Sequence, residues 1–284
     1  MQRGMRTLVG AVATALAVVA GSAAAQASPS PTGQAHAMGY YVALGDSLAA
    51  GYQPGVGDDK TGGYAGHVLD ALRTTMPKTR LVNLACSGET TGTMMAGGIC
   101  SYRGGSQLTQ AVAFLHAHGK FTRLVTIDIG ANDVDGCVSA GGISRPCVEA
   151  GLRTIGAKLP MILGQLRAAA GPGVRIQVLN YYDPFLAAWL TGPDGQTAAA
   201  VSLQLSAVLN AIIAGDSASI GGTTVDIATA FNSQDQNTVL FPPFGQVPVN
   251  VVTICQLTWM CTLNNIHAND AGYAVMGAAV AATL

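Results

Sequence analysis

The chain has 284 residues, of which 49% are hydrophobic and only 10% are charged, and its net charge is −1. So weak a charge, with no basic stripe, excludes the electrostatic footprint of a nucleic-acid-binding protein. The length is enough for one sizeable domain with its own core and does not require two.

The N-terminus has the pattern of a secretory signal peptide. Arg3 and Arg6 precede an apolar run from Leu8 to Ala20, and small residues follow. This pattern predicts a signal peptide over residues 1–27. The alternative is an uncleaved anchor, but the run is too short and wrongly flanked for a stable membrane span.

A flexible leader rich in Pro, Ser and Gly is predicted over residues 28–39, followed by a single domain over residues 40–284. Removal of the signal peptide with its two arginines leaves 12 of the 14 Lys and Arg and all 15 Asp and Glu, so the net charge of the remaining chain is −3. After the leader, no further apolar stretch of membrane length is expected, and stable membrane insertion is not predicted.

The first element of the domain is a short apolar strand, Tyr40–Leu44, which runs into Gly45, Asp46 and Ser47. An apolar run that stops at glycine is typical of a buried parallel strand entering a tight turn. A serine there lies at the carboxyl edge of the sheet, where open α/β folds bind ligands, so Ser47 is a candidate nucleophile. The alternative is that Asp46 or Ser47 only caps a short helix.

The following segments alternate between helical spacing and short apolar runs. Helices are predicted over 64–76, 107–118, 148–170 (with a kink at Pro160), 197–214 and 268–284, and strands over 81–85, 124–129, 174–179 and 224–227, whereas 231–261 is expected to be irregular. Five strands alternating with helices predict a three-layer α/β/α fold with a flavodoxin-like, parallel five-stranded sheet.

Three polar turns follow the first three strands and contain Ser47, Gly88 and Asn132. The carboxyl ends of parallel strands meet at one edge of a sheet, so we expect these turns to lie together. His267, near the C-terminus, has an intrinsic pKa suited to a base near neutral pH. The sequence therefore supplies a nucleophile and a base for acyl transfer.

Six cysteines follow the leader, and an even number in an exported protein predicts disulfides. Fifteen pairings are possible. Sequential pairing is favoured because each pair then closes one local loop: Cys86 with Cys100, Cys137 with Cys147, and Cys255 with Cys261. A zinc site is not supported, since no CxxC spacing occurs and histidines do not cluster near these cysteines.

Four motifs occur in a characteristic order: Gly45-Asp46-Ser47-Leu48, Gly88 after the second strand, Gly130-Ala131-Asn132-Asp133, and the seven residues His267–Tyr273. Together they closely resemble the SGNH, or GDSL, hydrolase superfamily over residues 40–284. The cysteine layout and the stretch 180–185 are similar to secreted actinobacterial lipases and esterases of that superfamily.

The resemblance implies a nucleophile, Ser47, and a base, His267. It also implies an oxyanion hole formed by the backbone N–H groups of Ser47 and Gly88 and the side-chain amide of Asn132. It further implies hydrolysis of small-molecule or lipid carboxylic esters without metal or cofactor. The G-x-S-x-G elbow of α/β-hydrolases is absent, because Ala49 stands two residues after the serine.

One position departs from the family pattern. Family members usually have Asp three residues before the histidine, and here that residue is Asn264. The side-chain oxygen or the main-chain carbonyl of Asn264 is therefore expected to orient His267 in a Ser47–His267 dyad. Asp270 is an alternative acid, although it is more compatible with capping the last helix.

Two functions from different classes fit the fold. The first is a secreted, monomeric ester hydrolase, with a carbohydrate-deacetylating esterase as one variant. The second is a non-catalytic binding domain, which fold alone does not distinguish from an enzyme. The enzyme is favoured because nucleophile, base and oxyanion side chain are all present. Trp259 is expected either to line the acyl groove or to pack in the core.

Overall fold

The structure, a computed structural model, describes residues 38–139 and 142–284. The predicted signal peptide over 1–27 and most of the predicted leader lie outside the described residues. Five strands form one parallel sheet: Gly39–Gly45 (β1), Thr79–Asn83 (β4), Thr122–Asp128 (β5), Arg175–Leu179 (β8) and Thr223–Val225 (β9). Their order is β4-β1-β5-β8-β9, which confirms the predicted flavodoxin-like arrangement.

Strand β1 is an interior strand of the sheet, and both of its faces are apolar. Tyr41, Val42, Ala43 and Leu44 are fully buried, and β1 pairs in parallel with β4 on one side and β5 on the other. The sequence of a strand that is covered by helices on both faces is a continuous apolar run rather than an alternation of apolar and polar residues. The turn that follows β1 therefore lies at the carboxyl edge of the sheet, next to the ends of β4 and β5.

The helices of the described residues are Gly63–Thr75 (α1), Thr91–Ala96 (α2), Gln107–His118 (α3), Arg145–Ala170 (α4), Pro193–Ser219 (α5), Ile227–Ala230 (α6), Val249–Leu257 (α7), Met260–Leu263 (α8) and Asp270–Ala281 (α9). They form two groups around the sheet, since α1 contacts α9 and α4 contacts both α3 and α5. Three hairpins complete the fold: Tyr52–Gln53 with Gly57–Asp58 (β2, β3), Val138–Ser139 with Gly142–Ile143 (β6, β7), and Thr238–Leu240 with Gln246–Pro248 (β10, β11).

The segment 231–261 is not irregular as predicted, because it contains the β10–β11 hairpin, α7 and α8. Helix α7 was not visible in the sequence since its valines, threonine and isoleucine have low helix propensity. Burial of Val251, Val252 and Ile254 against the protein interior outweighs that propensity. Likewise, the predicted fifth strand ends at Val225, and Ile227 begins α6.

Helix α5 corrects a second expectation. It is long and apolar enough, by length and composition, to span a membrane, whereas no such stretch was expected after the leader. In the structure α5 packs on the 3-10 helix Pro184–Thr191, on α4 and on strands β8 and β9. These contacts place it in the helical layer of the α/β fold.

Candidate active site

Ser47 lies in the turn that follows β1. Gly45 precedes it with φ +131°, and a Cβ atom at this position would lie 2.0 Å from Asp128 Oδ1, so only glycine fits. The Asp46 carboxylate fixes the turn by accepting hydrogen bonds from Leu48 N (2.9 Å) and Tyr181 Oη (2.7 Å). No α-helix starts here; hydrogen-bonded turns span residues 47–51 instead. Ser47 is consequently held at the carboxyl edge of the sheet, 8% exposed.

His267 reaches this serine from the far end of the chain. Its Nε2 lies 2.7 Å from Ser47 Oγ, and its Nδ1 lies 2.7 Å from Asn265 Oδ1. The Tyr52 ring packs against the imidazole, with ring centroids 4.4 Å apart. Thr258 and Ala268 form an antiparallel bridge, and Trp259 N donates to His267 O, so the backbone around the histidine is anchored as well.

The side chain next to His267 Nδ1 is that of Asn265, which corrects the expectation for Asn264. Asn264 ends α8 with φ +49°, in the left-handed region, where it reverses the chain direction. Asn265 then closes an Asx turn, because its Oδ1 accepts from His267 N (3.1 Å) as well as lying next to Nδ1. An asparagine two residues before the histidine is the sequence signal that would have identified this turn.

Asp270 and Trp259 also differ from their expected places. Asn269, not Asp270, caps α9, since its side chain accepts from Gly272 N (3.0 Å). Asp270 instead accepts a hydrogen bond from Gln53 Nε2, and the Trp259 indole N–H donates to Gln53 Oε1. Among the described residues, Trp259 is not part of the cleft wall.

Possible oxyanion donors come from the three polar turns. The backbone N–H groups of Ser47 and Gly88 donate to no backbone carbonyl of the described residues. Asn132 lies in the cleft wall, and its Nδ2 donates to Glu89 O at 2.9 Å. A primary amide carries two N–H groups, so one donor of Asn132 remains for a ligand.

Two side chains, the buried Gln107 and the half-buried Asp133, hold the turns together, and the role of neither was identified from the sequence. Gln107, the first residue of α3, accepts from Gly45 N (2.7 Å) and donates to Gly45 O (2.9 Å) and Glu89 Oε2 (3.0 Å). Asp133 accepts from Thr91 N (2.8 Å) and Thr91 Oγ1 (2.7 Å). The turns containing Ser47, Gly88 and Asn132 are therefore one connected unit.

The cleft beside Ser47 and His267 encloses about 820 Å³, including open solvent at its mouth. Its wall is mostly apolar and combines residues from the turns containing Ser47 and Asn132 with residues of α4, α5 and the 3-10 helix after β8. The apolar members include Leu48, Val134, Val148, Leu152, Leu205 and Leu209. A wall of this kind suits an apolar group with a reactive polar end.

Burial shifts the pKa values of several groups in this cleft. It lowers the pKa of His267 to about 4, against the opposing charge of Asp58. It raises the pKa of Asp46 and of Asp183 to about 6. Burial, and then the charges of Asp46 and Asp183, raise the pKa of Asp135 to about 7. His267 is therefore neutral at neutral pH and able to accept a proton.

Three disulfides lie around the site and pair sequential cysteines: Cys86–Cys100, Cys137–Cys147 and Cys255–Cys261. The first closes the loop after Gly88, the second follows Asn132, and the third ends four residues before Asn265. Within the described part of the chain, no group of three or more His, Cys, Asp or Glu side chains is placed to hold a metal ion. The candidate site therefore contains a hydroxyl group, a neutral imidazole and candidate N–H donors.

Comparison with known proteins is consistent with this chemistry. A family model described as the GDSL-like Lipase/Acylhydrolase family matches residues 43–275. The fold is similar to that of a catalytic mutant of Axe2, an acetylxylan esterase from Geobacillus stearothermophilus, with 17% identity, coverage of 86% of this chain and 93% of that chain, and a TM-score of 0.52.

A carbohydrate acetylesterase from Sinorhizobium meliloti is 16% identical, with coverage of 86% of this chain and 97% of that chain and a TM-score of 0.50. An extracellular lipase from Streptomyces rimosus is 25% identical over 78% of this chain and 100% of its own, with a TM-score of 0.46. No curated protein sequence matches the chain significantly.

Proposed function

Since the chain belongs to the GDSL-like lipase/acylhydrolase family and is a carboxylic ester hydrolase, we propose that it is a secreted serine hydrolase that cleaves esters through an acyl-enzyme on Ser47, with His267 as the base. The observation that carries this proposal is the 2.7 Å separation of Ser47 Oγ and His267 Nε2. This is hydrogen-bond distance between a nucleophile and a neutral imidazole.

In the proposed reaction, Ser47 Oγ attacks the ester carbonyl carbon while its proton passes to His267 Nε2. The tetrahedral intermediate collapses, the bond to the alcohol oxygen breaks, and the imidazolium returns the proton to the leaving alcohol. Water then attacks the acyl carbon and gives a proton to Nε2. The second intermediate collapses, the bond to Oγ breaks, and the imidazolium returns the proton to Ser47 Oγ as the acid leaves. His267 thus accepts a proton in each attack and donates it in each collapse.

Three donors are proposed to stabilise the negative charge on the oxygen of the tetrahedral intermediate: Ser47 N–H, Gly88 N–H and one N–H of Asn132. Preorganised donors of this kind act mainly on the transition state, where the charge develops. Support for the assignment is the connected hydrogen-bond network of the three turns, which brings the donors to one edge of the sheet.

Secretion, the domain boundary at residue 40 and a monomeric, membrane-free enzyme are further parts of the proposal. The signal-peptide pattern and the three disulfides favour export, since disulfides persist in oxidising compartments. A monomer is favoured because one chain supplies Ser47, His267, Asn265 and the cleft wall.

The test is labelling and loss of function at Ser47. A serine-directed phosphonate is expected to label Ser47 in the purified protein, and Ser47→Ala is expected to remove nearly all hydrolysis of nitrophenyl esters, because no acyl-enzyme forms without the hydroxyl. Ser206→Ala is the matched control, since Ser206 lines the same cleft but donates its hydroxyl to Leu203 O.

Mass spectrometry of the labelled peptide and circular dichroism of each variant complete the experiment. Labelling at another residue, or a folded Ser47→Ala variant that keeps substantial activity, would contradict the assignment. A folded wild type that binds esters but neither hydrolyses them nor reacts with the phosphonate would indicate the non-catalytic binding domain.

A further inference from the structure

Three aspartates line the same cleft as Ser47 and His267: Asp46, Asp135 and Asp183. No lysine or arginine lines it among the described residues. The Asp46 carboxylate is fully occupied by Leu48 N and Tyr181 Oη. The other two carboxyls have no equivalent use in the proposed reaction, so their partners must be sought elsewhere.

Asp183 keeps one oxygen without a partner. The residue is 2% exposed and caps the 3-10 helix after β8, with Oδ1 accepting from Phe185 N (3.0 Å) and Ser202 Oγ (2.8 Å). Its Oδ2 is buried and has no hydrogen-bond partner among the described residues. One oxygen suffices for a cap, so the cap leaves the second carboxylate oxygen unexplained.

Asp135 also lines the cleft, three residues after Asn132, in a 3-10 turn that ends at Cys137 of the Cys137–Cys147 disulfide. The causes of its raised pKa are burial and the charges of Asp46 and Asp183, with no hydrogen bond among them. Asp135 and Asp183 thus line one cleft, and the charge of Asp183 adds to the raised pKa of Asp135. Near neutral pH, part of the molecules carry a proton on one of these carboxyls.

We propose that Asp135 and Asp183 form a polar subsite in the cleft that hydrogen-bonds a hydroxyl group of the ester substrate. A hydroxyl both donates and accepts, so it can pair with a free carboxylate oxygen and with a protonated carboxyl. An anionic group would be repelled by the carboxylates, and a purely apolar group would leave them unsatisfied. The inference rests on the proposed function, because it assigns a substrate class to the same site.

The hydroxyl can belong to the acyl part or to the alcohol part of the ester, and two substrate pairs distinguish these sources. The first pair is a nitrophenyl ω-hydroxyacyl ester and the ester with a methyl in place of that hydroxyl. The second pair is a glycerol monoester and the corresponding propyl ester. For each pair, the measured quantity is the ratio of kcat/KM values for the hydroxylated and the apolar member.

We expect the wild type to prefer the hydroxylated member of one pair by about ten-fold or more, as for a hydrogen bond to a charged group. Asp135→Leu and Asp183→Asn should move that ratio toward one. Asp183→Asn retains the capping oxygen, which protects the fold. Asp216→Asn is the matched control, since Asp216 also has a buried, unpartnered Oδ2 but does not line the cleft.

Both members of a pair are assayed on the same preparation, so partial loss of folded protein cancels from the ratio. A wild-type ratio near one for both pairs, or a ratio that neither cleft variant changes, overturns the subsite. Phosphonate labelling of Ser47, run beside the assay, separates this result from a failure of the proposed function. A labelled, active enzyme without hydroxyl preference refutes only the subsite.

Discussion

At the scale of single residues, His267 is oriented by an amide where related hydrolases are expected to have a carboxylate. Asn265 Oδ1 accepts from His267 N (3.1 Å), which identifies that atom as the oxygen. The same oxygen lies 2.7 Å from Nδ1, so Nδ1 must carry the proton and Nε2 is left with a lone pair facing Ser47. A neutral amide can thus fix the tautomer although it cannot offset the charge of an imidazolium.

The Asn265 side chain is therefore predicted to control both rate and pH dependence. Asn265→Ala should lower kcat/KM by about 10²-fold or more, toward the ~10⁴-fold that a mis-set tautomer costs a serine triad. Asn265→Asp should raise the pKa of His267 by charge attraction. In the wild type, the acidic limb of the pH profile of kcat/KM should lie well below pH ~6.5. In Asn265→Asp this limb should shift to higher pH.

Asn264→Gly is the control for this prediction, because glycine tolerates the φ of +49° at that position. It should leave kcat/KM and the pH profile close to those of the wild type. If Asn264→Gly costs as much as Asn265→Ala, or if Asn265→Asp leaves the acidic limb in place, Asn265 is not the orienting residue.

At the scale of elements, α3 is tied to two sheet-edge turns through its first residue. Gln107 is fully buried and bonds both the backbone of Gly45, two residues before Ser47, and the carboxylate of Glu89, next to Gly88. It links the turn containing Ser47 to the turn containing Gly88. A helix that elsewhere only covers the sheet thereby determines the geometry of the site.

Gln107→Leu should destabilise the protein and lower kcat more than it changes KM. Leucine has a similar volume but leaves Gly45 N–H, Gly45 O and Glu89 without this partner, and one unsatisfied buried group costs about 1–3 kcal/mol. Urea unfolding should therefore show a loss of at least about 2 kcal/mol. Gln110→Leu, half-buried on the same helix, should stay within about 0.5 kcal/mol of the wild type. Equal stabilities for the two variants would contradict the proposed role of Gln107.

At the scale of the whole molecule, buried acids give the fold an unusual pH dependence. Asp46, Asp135 and Asp183 have folded-state pKa values of about 6, 7 and 6, above the ordinary 3.8, so between those limits the native state binds more protons than the unfolded state. Their stabilising contribution is complete below pH ~3.8 and is lost as pH rises through the folded-state pKa values. The pKa of His267 is lowered, so its contribution to the free energy of unfolding increases as pH rises from about 4 to about 6.5.

Burial also raises the pKa values of Asp128 and Asp216. These raised groups outweigh His267, so the free energy of unfolding should fall as pH rises from about 4.5 to about 7.5. Urea titrations at constant ionic strength with intact disulfides measure this directly. Asp135→Asn removes the group with the highest of these pKa values and should flatten the decline between about pH 6 and 7.5, whereas Asp70→Asn on α1 should not. A free energy of unfolding that rises over this range would contradict the prediction.

The sequence by itself determined the sheet, its order and the turns that carry polar residues at its edge. Those features depend on local signals: apolar runs of strand length, glycines that end them, and helical spacing between them. The parallel arrangement then follows from the alternation of strands and helices. Ser47, Gly88, Asn132 and His267 could be chosen from such signals, although their catalytic roles remain predictions.

Only the tertiary structure decided which side chains complete the site. Gln107 bonds Gly45 across 62 positions, Tyr181 bonds Asp46 across 135, and no local pattern encodes such partners. The choice of Asn265 over Asn264 depended on one residue, Asn264, in the left-handed conformation at the end of α8. Burial of Asp135 and Asp183, and hence their shifted pKa values, is likewise a property of the assembled cleft, because desolvation depends on neighbours brought together only by folding.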